Sequence, residues 1–224
     1  MLKNSFYKKI KQLVWVLVFN IVASNIVASN LVASNALADT ERQIDLTDFQ
    51  TQYFRTVLIK YVNQERVDKN QIALSASEKL NSAAQQHAIA MIEYDFFSHT
   101  SPLKRSRNLN DRLINEGIKN VYAAENLSLE FAIELNANQP FYTRLHPEDN
   151  EPIFSLQHNG QAIPAHNYKT LAIKTLQSWI NSKKHHSNIL NDNYDSVGVG
   201  AALSRNAQQV PIVKIVVVFA GLSI

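Results

Sequence analysis

The chain has 224 residues, contains no cysteine and carries a formal net charge of +3 at neutral pH. The absence of cysteine excludes a disulfide framework and any lipid anchor attached through a thiol. Four lysines and no acid lie in residues 1–38, and subtracting them from +3 leaves −1 for residues 39–224. The net charge therefore gives no reason to expect nucleic acid or an anionic membrane as a partner.

The first 38 residues have the order of a secretory signal. A basic start precedes the apolar residues 13–19, and Ala36-Leu37-Ala38 forms a small-x-small cleavage site before Asp39. The alternative is a retained membrane anchor, because about 20 apolar residues can span a bilayer. Asparagine recurs every five residues in IVASN-IVASN-LVASN and interrupts every helical face. We therefore predict cleavage and export, with residues 39–224 as a single periplasmic or secreted domain and no membrane span.

The first half of the mature chain is predicted to be mainly helical. Thr47 or Asp48 is expected to cap a helix that ends near residue 66. Ser75, followed by Glu78, has the spacing of a capping box and predicts a second helix to about residue 94. A polar loop over residues 95–107 and a short helix over residues 108–116 follow, and Gly117 is expected to end that helix.

The second half is predicted to contain the strands. An extended segment covers residues 122–129, a helix covers residues 168–181, and two strands cover residues 196–203 and 210–220. Gly198 and Gly200 are expected to allow a close backbone approach. Residues 136–167 show no regular period and are interpreted as a long insertion or lid. Helices before strands indicate the α+β class.

The seven histidines fall into different environments. His87 lies on the apolar side of its helix and is predicted to be a hydrogen-bonded core histidine. At most one of His185 and His186 can point into a shared cleft, because adjacent residues do not share a face. His99 and His185 each follow a helix and are candidates for metal binding or proton transfer. The remaining three are expected on the surface: His146, His158 and His166.

The residue types alone leave the chemistry open. A carboxylate between His99 and His185 would complete a zinc or copper site, or would raise the basicity of a histidine. The sequence contains no HExxH, GxSxG or paired CxxC motif. Asp111 and Glu116 are further acids nearby in the sequence, and capping and solvation explain them more simply.

Several segments resemble a known family. Residues 96–102, FFSHTSP, are similar to a signature of bacterial CAP-domain proteins. That superfamily also contains cysteine-rich secretory proteins, antigen 5 and pathogenesis-related protein 1. Residues 124–127, AENL, resemble its Glu-Asn motif, and residues 179–190, WINSKKHHSNIL, resemble its tryptophan-to-histidine segment. Blocks at residues 63–66 and 193–200 also resemble the family, and all five occur in its order.

The resemblance implies a three-layer α-β-α sandwich with a central antiparallel sheet. It also implies a cleft whose residues match family cavity positions: His99, Glu125, Asn126, Ser182 and His185. Many relatives have a second acid where this chain has Ser182. The implied metal ligands are therefore His99 and His185, with Zn²⁺ as the candidate cofactor.

Two departures from the family pattern bear on this cleft. Lys183-Lys184 replaces the Pro-Gly that usually precedes the histidine, so a different turn is expected there. Residues 136–167 form a longer segment than most bacterial members have, and could cover or extend the cleft.

The resemblance implies two functions, and a third interpretation is structural. The first is an exported module that binds a small apolar or peptide-like ligand or a cell-envelope component. The alternative is a metal-assisted hydrolase, with Glu125 as general base and His99 and His185 as metal ligands. In the structural interpretation, Glu125 and Asn126 only tie loops together. Nucleic acid is not an expected partner.

Overall fold

The computed structural model describes residues 41–222, and the predicted signal sequence with its repeat lies outside the described residues. The helices and strands follow in chain order: α1 (Thr51–Asp68), β1 (Ser75–Ala76), α2 (Glu78–Glu93), α3 (Leu109–Asn115), β2 (Val121–Phe131), β3 (Tyr142–Leu145), β4 (Pro152–Ser155), α4 (Tyr168–Ile180), α5 (Lys183–Ile189), β5 (Ser196–Arg205) and β6 (Pro211–Leu222). A single 3₁₀ turn, Lys104–Ser106, precedes α3.

The central sheet has the strand order β1-β5-β6-β2. Its three long strands, β5, β6 and β2, are antiparallel to their neighbours, and the two-residue β1 adds a short parallel pair at one edge. The β-branched run of β6 is buried on both faces, as expected for a central strand. The predicted α+β sandwich is confirmed, although the sheet is mixed at that edge.

Each face of the sheet packs against helices. Phe54 of α1 and Trp179 of α4 join Val217 in the core on one face. Leu80 and Met91 of α2 belong to the core on the opposite face. Successive residues of a strand point to opposite sides, so β6 contributes to both cores and the fold has three layers.

The expected close approach at Gly198 and Gly200 is present. A Cβ atom at Gly198 would overlap the backbone of Leu80 and Asn81 in α2, and one at Gly200 would overlap Ala84. Asn81 Oδ1 also accepts a hydrogen bond from the Val199 amide at 2.9 Å. Helix α2 is therefore seated directly on β5, which fixes the start of the loop that follows it.

Two predicted helix caps are wrong. Gln50, rather than Thr47 or Asp48, precedes α1, and its side chain makes no capping hydrogen bond. Ser77, rather than Ser75, caps α2, because Ser75 pairs with β5. The error at α2 arises because sequence spacing does not reveal a strand of only two residues, and at α1 Thr47 instead bonds to Asp45.

The predicted short helix over residues 108–116, ended by Gly117, is present as α3. Asn108 caps α3 in a capping box with Asp111, which accounts for that acid. Gly117 has a φ of +72° immediately after the C-cap of α3, a conformation that glycine adopts readily.

Residues 136–167 contain a hairpin that the sequence did not reveal. Strands β3 and β4 pair in a separate two-stranded sheet. Phe154 packs with Ile133 and Leu135, which follow β2, and with Val210, which precedes β6. Phe131 pairs with Ile212 at this end of β2. Glu125 lies six residues earlier, roughly 20 Å away along an extended strand, so these contacts anchor the hairpin away from Glu125.

His166 is buried, so its expected surface position is wrong. Its ring Nδ1 is 3.0 Å from Thr170 Oγ1, and its ring Nε2 is buried without a hydrogen-bond partner. Its main-chain groups bond to Ala132 and Ile44 and hold the end of the insertion against the domain. Burial, with the nearby charge of Lys174, lowers the pKa of His166 from 6.5 to about 4.

This histidine predicts an acid-sensitive contribution to stability. The unfolded chain binds a proton at His166 near pH 6.5, whereas the folded chain does so only near pH 4. The contribution is therefore present above pH 6.5 and is lost as the pH falls from 6.5 towards 4. Lowering the pH from 7 to 4.5 should destabilise the wild-type protein by about 2–3 kcal/mol more than His166→Gln.

Urea unfolding at both pH values measures this difference. His158→Gln is the matched control, because His158 is exposed, and it should follow the wild type at both pH values. Equal acid destabilisation of the wild type and His166→Gln would contradict the account.

Candidate functional site

The site is built around the buried carboxylate of Glu125 on strand β2. Only 3 % of its side chain is exposed. Oε1 accepts a hydrogen bond from His99 Nδ1 at 2.8 Å, and Oε2 accepts one from Arg112 Nη2 at 2.7 Å. Glu125 thus connects the exposed loop that carries His99 to an arginine in the interior.

Arg112 is the central residue that sequence reasoning missed. It projects from α3 with only 2 % of its side chain exposed. Besides the ion pair with Glu125, its Nη1 donates to the carbonyls of Ser106 at 3.2 Å and His99 at 3.4 Å. One guanidinium therefore holds both the carboxylate and the loop above it. An arginine on a short helix is usually solvent-exposed, so no local sequence signal marks this role.

Two more interior side chains hold the same loop. Lys214 Nζ, from β6, donates to the carbonyls of Met91 at 2.7 Å and Phe96 at 3.0 Å. His87 Nε2 lies 3.0 Å from the carbonyl of Ser98. Burial lowers the pKa of His87, which favours a neutral ring that donates from Nε2. The prediction of a hydrogen-bonded core histidine is confirmed, and His87 Nε2 is also 4.0 Å from Glu125 Oε1.

His99 presents its ring to solvent, with 46 % of the side chain exposed. An ionised Glu125 can only accept hydrogen bonds, so the proton shared with His99 is assigned to Nδ1. In the neutral ring, Nε2 then carries the lone pair. The arrangement fixes the tautomer of His99 and leaves Nε2 to meet a ligand.

His185 and His186 point in different directions, as predicted. His186 Nε2 is 2.9 Å from Glu65 Oε1 on α1. Burial lowers the pKa of His185, and the charges of His99 and Lys184 lower it further. His99 and the main chain of His185 are bonded to adjacent residues of β2, Glu125 and Asn126 respectively.

Asn126 positions α5 rather than lining the His99 side of the sheet. Its Nδ2 donates to the main-chain carbonyl of His185 at 3.0 Å, and its Oδ1 accepts from Asn188 Nδ2 at 2.8 Å. Alternation along β2 directs it to the face opposite Glu125. Trp179 Nε1 fastens α4 to the same strand by donating to the Leu127 carbonyl at 2.9 Å.

Ser182 stands at the N-cap position of α5, and its side chain makes no capping hydrogen bond. Its main-chain carbonyl accepts a hydrogen bond from the amide of His186 at 2.9 Å. Ser182 supplies a hydroxyl where a second acid would stand in many relatives. The five expected residues thus form an imidazole pair, a carboxylate behind one ring, and two residues that shape the start of α5.

The described side chains around Glu125 do not form a zinc site with three protein ligands. Among residues 41–222, no group of three or more His, Cys, Asp and Glu side chains is arranged to hold a metal ion. Both oxygens of Glu125 already accept hydrogen bonds, so this carboxylate does not fit as a ligand. It lies behind His99, where a carboxylate orients a metal-binding histidine. The ligands that the family resemblance implies are His99 Nε2 and the ring of His185.

The sequence model of the CAP family, described as the cysteine-rich secretory protein family, matches residues 59–220. The match covers well over half of the chain, and this protein belongs to that family. The family description refers to cysteine, but this chain contains none. No curated protein matches the chain.

Solved structures with a similar fold come from bacteria. The chain is similar to an extracellular protein containing an SCP domain from Bacillus anthracis, with a TM-score of 0.50 and 19 % identity over 76 % of this chain. It spans only 41 % of that protein. An outer surface protein of Borrelia burgdorferi has a TM-score of 0.47 and 15 % identity, with 81 % of this chain and 98 % of that chain covered.

A third similar structure is a cysteine-rich secretory protein from Staphylococcus aureus. Its TM-score is 0.45 and its identity is 16 %, with 76 % of this chain and 39 % of that chain covered.

Within residues 41–222, no helix is long and apolar enough to cross a membrane.

Replacing Arg112 should destabilise the protein by leaving Glu125 buried without its ion-pair partner. Arg112→Met keeps most of the packing and should lower the free energy of unfolding by about 3–5 kcal/mol. The double variant Arg112→Met/Glu125→Gln should recover part of this loss, because the uncompensated charge is gone. Urea unfolding measures both values. A wild-type midpoint for Arg112→Met would contradict this description of the site.

Proposed function

We propose that this protein is an exported ligand-binding module that holds a cell-envelope component at His99 and His185. The observation that carries the proposal is the combination of a buried Glu125, engaged at both oxygens, with an exposed His99 ring. Such a carboxylate orients the imidazole, and the imidazole is the group that meets the ligand. The apolar or peptide-like ligand implied by the resemblance would contact this ring.

Export is supported by three observations. The first 38 residues have the order of a secretory signal. The chain belongs to a family of secretory proteins, and the similar Bacillus anthracis protein is described as extracellular. A chain without cysteine needs no oxidative folding, so it suits either the periplasm or the medium.

In the hydrolase alternative, Glu125 acts as the general base. The surroundings of the Glu125 carboxylate argue against that role. A general base must lie within hydrogen-bond reach of the proton that it removes. Glu125 is 3 % exposed, and its two oxygens face Arg112 and His99 rather than solvent. A substrate or an attacking water would have to displace one of these partners to reach it.

A divalent cation is a secondary part of the proposal. His99 Nε2 and His185 would hold Zn²⁺, and water would fill the open positions. When bound, the ion would supply a Lewis-acidic contact for an oxygen of the ligand. In this chain, Glu125 would keep the His99 ring aligned and Asn126 would keep α5 in place.

Binding and turnover distinguish the two functions directly. We expect the purified protein to hydrolyse no peptide, ester or peptidoglycan substrate, with or without added zinc. In calorimetric titrations with a soluble muropeptide and a long-chain fatty acid, at least one probe should bind saturably. His185→Ala should weaken that binding by about ten-fold or more, as for loss of a central contact, whereas the control His158→Ala should not.

The opposite pattern would reject the binding module. Turnover that disappears in both His99→Ala and Glu125→Gln would establish the hydrolase instead. Absence of binding to both probes, or equal binding by His185→Ala, would also contradict the proposal.

Zinc binding is tested separately, with variants of the same side chains. We expect His99→Ala/His185→Ala to abolish zinc uptake, measured by metal analysis after equilibrium dialysis. Under conditions where urea unfolding shows Glu125→Gln to be folded, this variant should weaken uptake by about 10–100-fold without abolishing it, because Glu125 influences the ion through the orientation of His99. Unchanged zinc content in the double variant would remove the metal from the proposal.

A further inference from the structure

The two segments that flank the imidazole pair carry a local excess of positive charge. Residues 96–107 hold His99, and residues 181–190 hold His185. Neither segment contains an acid, yet together they contain five exposed cations, which we name the basic rim: Lys104, Arg105, Arg107, Lys183 and Lys184. Because residues 39–224 have a formal charge of −1, this concentration is a property of the rim and not of the whole protein.

The backbone of the His99 loop is held by side chains from the interior. Lys214 binds the carbonyl of Phe96, and His87 contacts that of Ser98. Arg112 binds the carbonyls of His99 and Ser106. These four carbonyl oxygens are therefore engaged within the protein, while the cationic side chains of the loop are exposed.

The cations lie on both sides of the imidazoles. The Ser101 amide donates a hydrogen bond to the carbonyl of Arg107 at 2.7 Å. This bond holds the main chain of Arg107 next to Ser101, which follows His99 by two residues. Lys184 is adjacent to His185 and its charge lowers the pKa of that ring. The two segments meet at neighbouring residues of β2, because Glu125 bonds to His99 and Asn126 bonds to the carbonyl of His185.

The acids nearest to these segments are largely committed to other partners. Glu125 is paired with Arg112, and Glu65 is hydrogen-bonded to His186. Asp111 completes the capping box of α3. Asp95, just before the loop, acts on buried Lys214 and raises its pKa, although burial dominates and lowers it. Within the described residues, none of these four acids forms an ion pair with a member of the basic rim.

We propose that the basic rim binds a phosphate-bearing anion, so that the ligand of the cleft carries a phosphate group. This inference rests on the proposed binding function and names its ligand class. Arginine and lysine both bind phosphate oxygens, arginine through its planar fork and lysine as a point charge. The phosphate contacts the rim, and the remainder of the ligand extends towards His99 and His185. The exposed rings of Tyr94 and Phe97 next to the loop provide apolar surface for that remainder.

Binding to two phosphate probes tests the proposal. Sedimentation with vesicles of dioleoylphosphatidylglycerol, compared with dioleoylphosphatidylcholine, presents the group as a lipid headgroup. Calorimetric titration with tripolyphosphate presents it in soluble form. At low ionic strength the protein should bind at least one anionic probe and ignore the zwitterionic vesicles, and salt should weaken the binding.

Charge-reversal variants locate the binding surface. Arg105→Glu/Arg107→Glu and Lys183→Glu/Lys184→Glu should each weaken binding by at least about ten-fold. The control Lys60→Glu/Lys79→Glu makes the same change in net charge at exposed positions on α1 and α2, and should stay within about two-fold of the wild type. Unchanged thermal unfolding of all three variants excludes misfolding as the cause.

Each outcome decides the proposal. Rim-dependent binding to phosphatidylglycerol vesicles alone identifies a lipid headgroup, and rim-dependent binding to tripolyphosphate identifies a soluble phosphate. No binding to either probe, or equal losses in the rim and control variants, overturns the proposal. If the muropeptide or fatty acid still binds through His185 in that case, the cleft function stands and only the phosphate assignment fails.

Discussion

The ion pair between Arg112 and Glu125 is the constraint on which the rest of the site depends. Both side chains are almost completely buried, and their closest nitrogen and oxygen are 2.7 Å apart. Charges removed from water need a close partner of opposite sign, so neither residue can be changed alone without a large loss of stability. The ion pair joins α3 to β2. It also holds the loop that carries His99, because Glu125 accepts a hydrogen bond from the His99 ring and Arg112 donates one to the His99 carbonyl.

Because of this ion pair, the Glu125 carboxylate and the His99 ring have different roles in the site. Glu125 belongs to the interior, where it fixes the orientation and tautomer of His99. The His99 ring belongs to the surface, where it meets solvent and ligands. Interior donors draw the carbonyl oxygens of the loop inward, and its cationic side chains lie outside. The same arrangement engages both oxygens of Glu125 and supports the proposal of a binding cleft with a basic rim.

The sequence predicted the layers of the fold better than their details. The continuous apolar run of β6 indicated a buried strand, the glycines of β5 indicated a close backbone approach, and both predictions are confirmed. The cap of α2 was misplaced because β1 has only two residues. The β3–β4 hairpin was missed because four-residue strands are too short to show an alternating pattern.

The site was only partly predictable from the sequence. Resemblance to the family selected His99, Glu125 and His185 among many polar residues. Arg112 was missed because its burial depends on long-range packing of α3 against β2, which no local pattern reports. His166 was misplaced for a related reason: a histidine among prolines and polar residues is usually exposed, but this one is buried through bonds to Ile44, Ala132 and Thr170.

The central claim is that Glu125 holds His99 with its proton on Nδ1 and its Nε2 directed to the ligand. Nitrogen-15 NMR of histidine-labelled protein above pH 7 tests it most directly. The account predicts a protonated Nδ1 and an unprotonated Nε2 for His99 in the wild type, with this preference weakened in Glu125→Gln. A His99 ring protonated at Nε2, or one whose tautomer does not respond to Glu125→Gln, would contradict it.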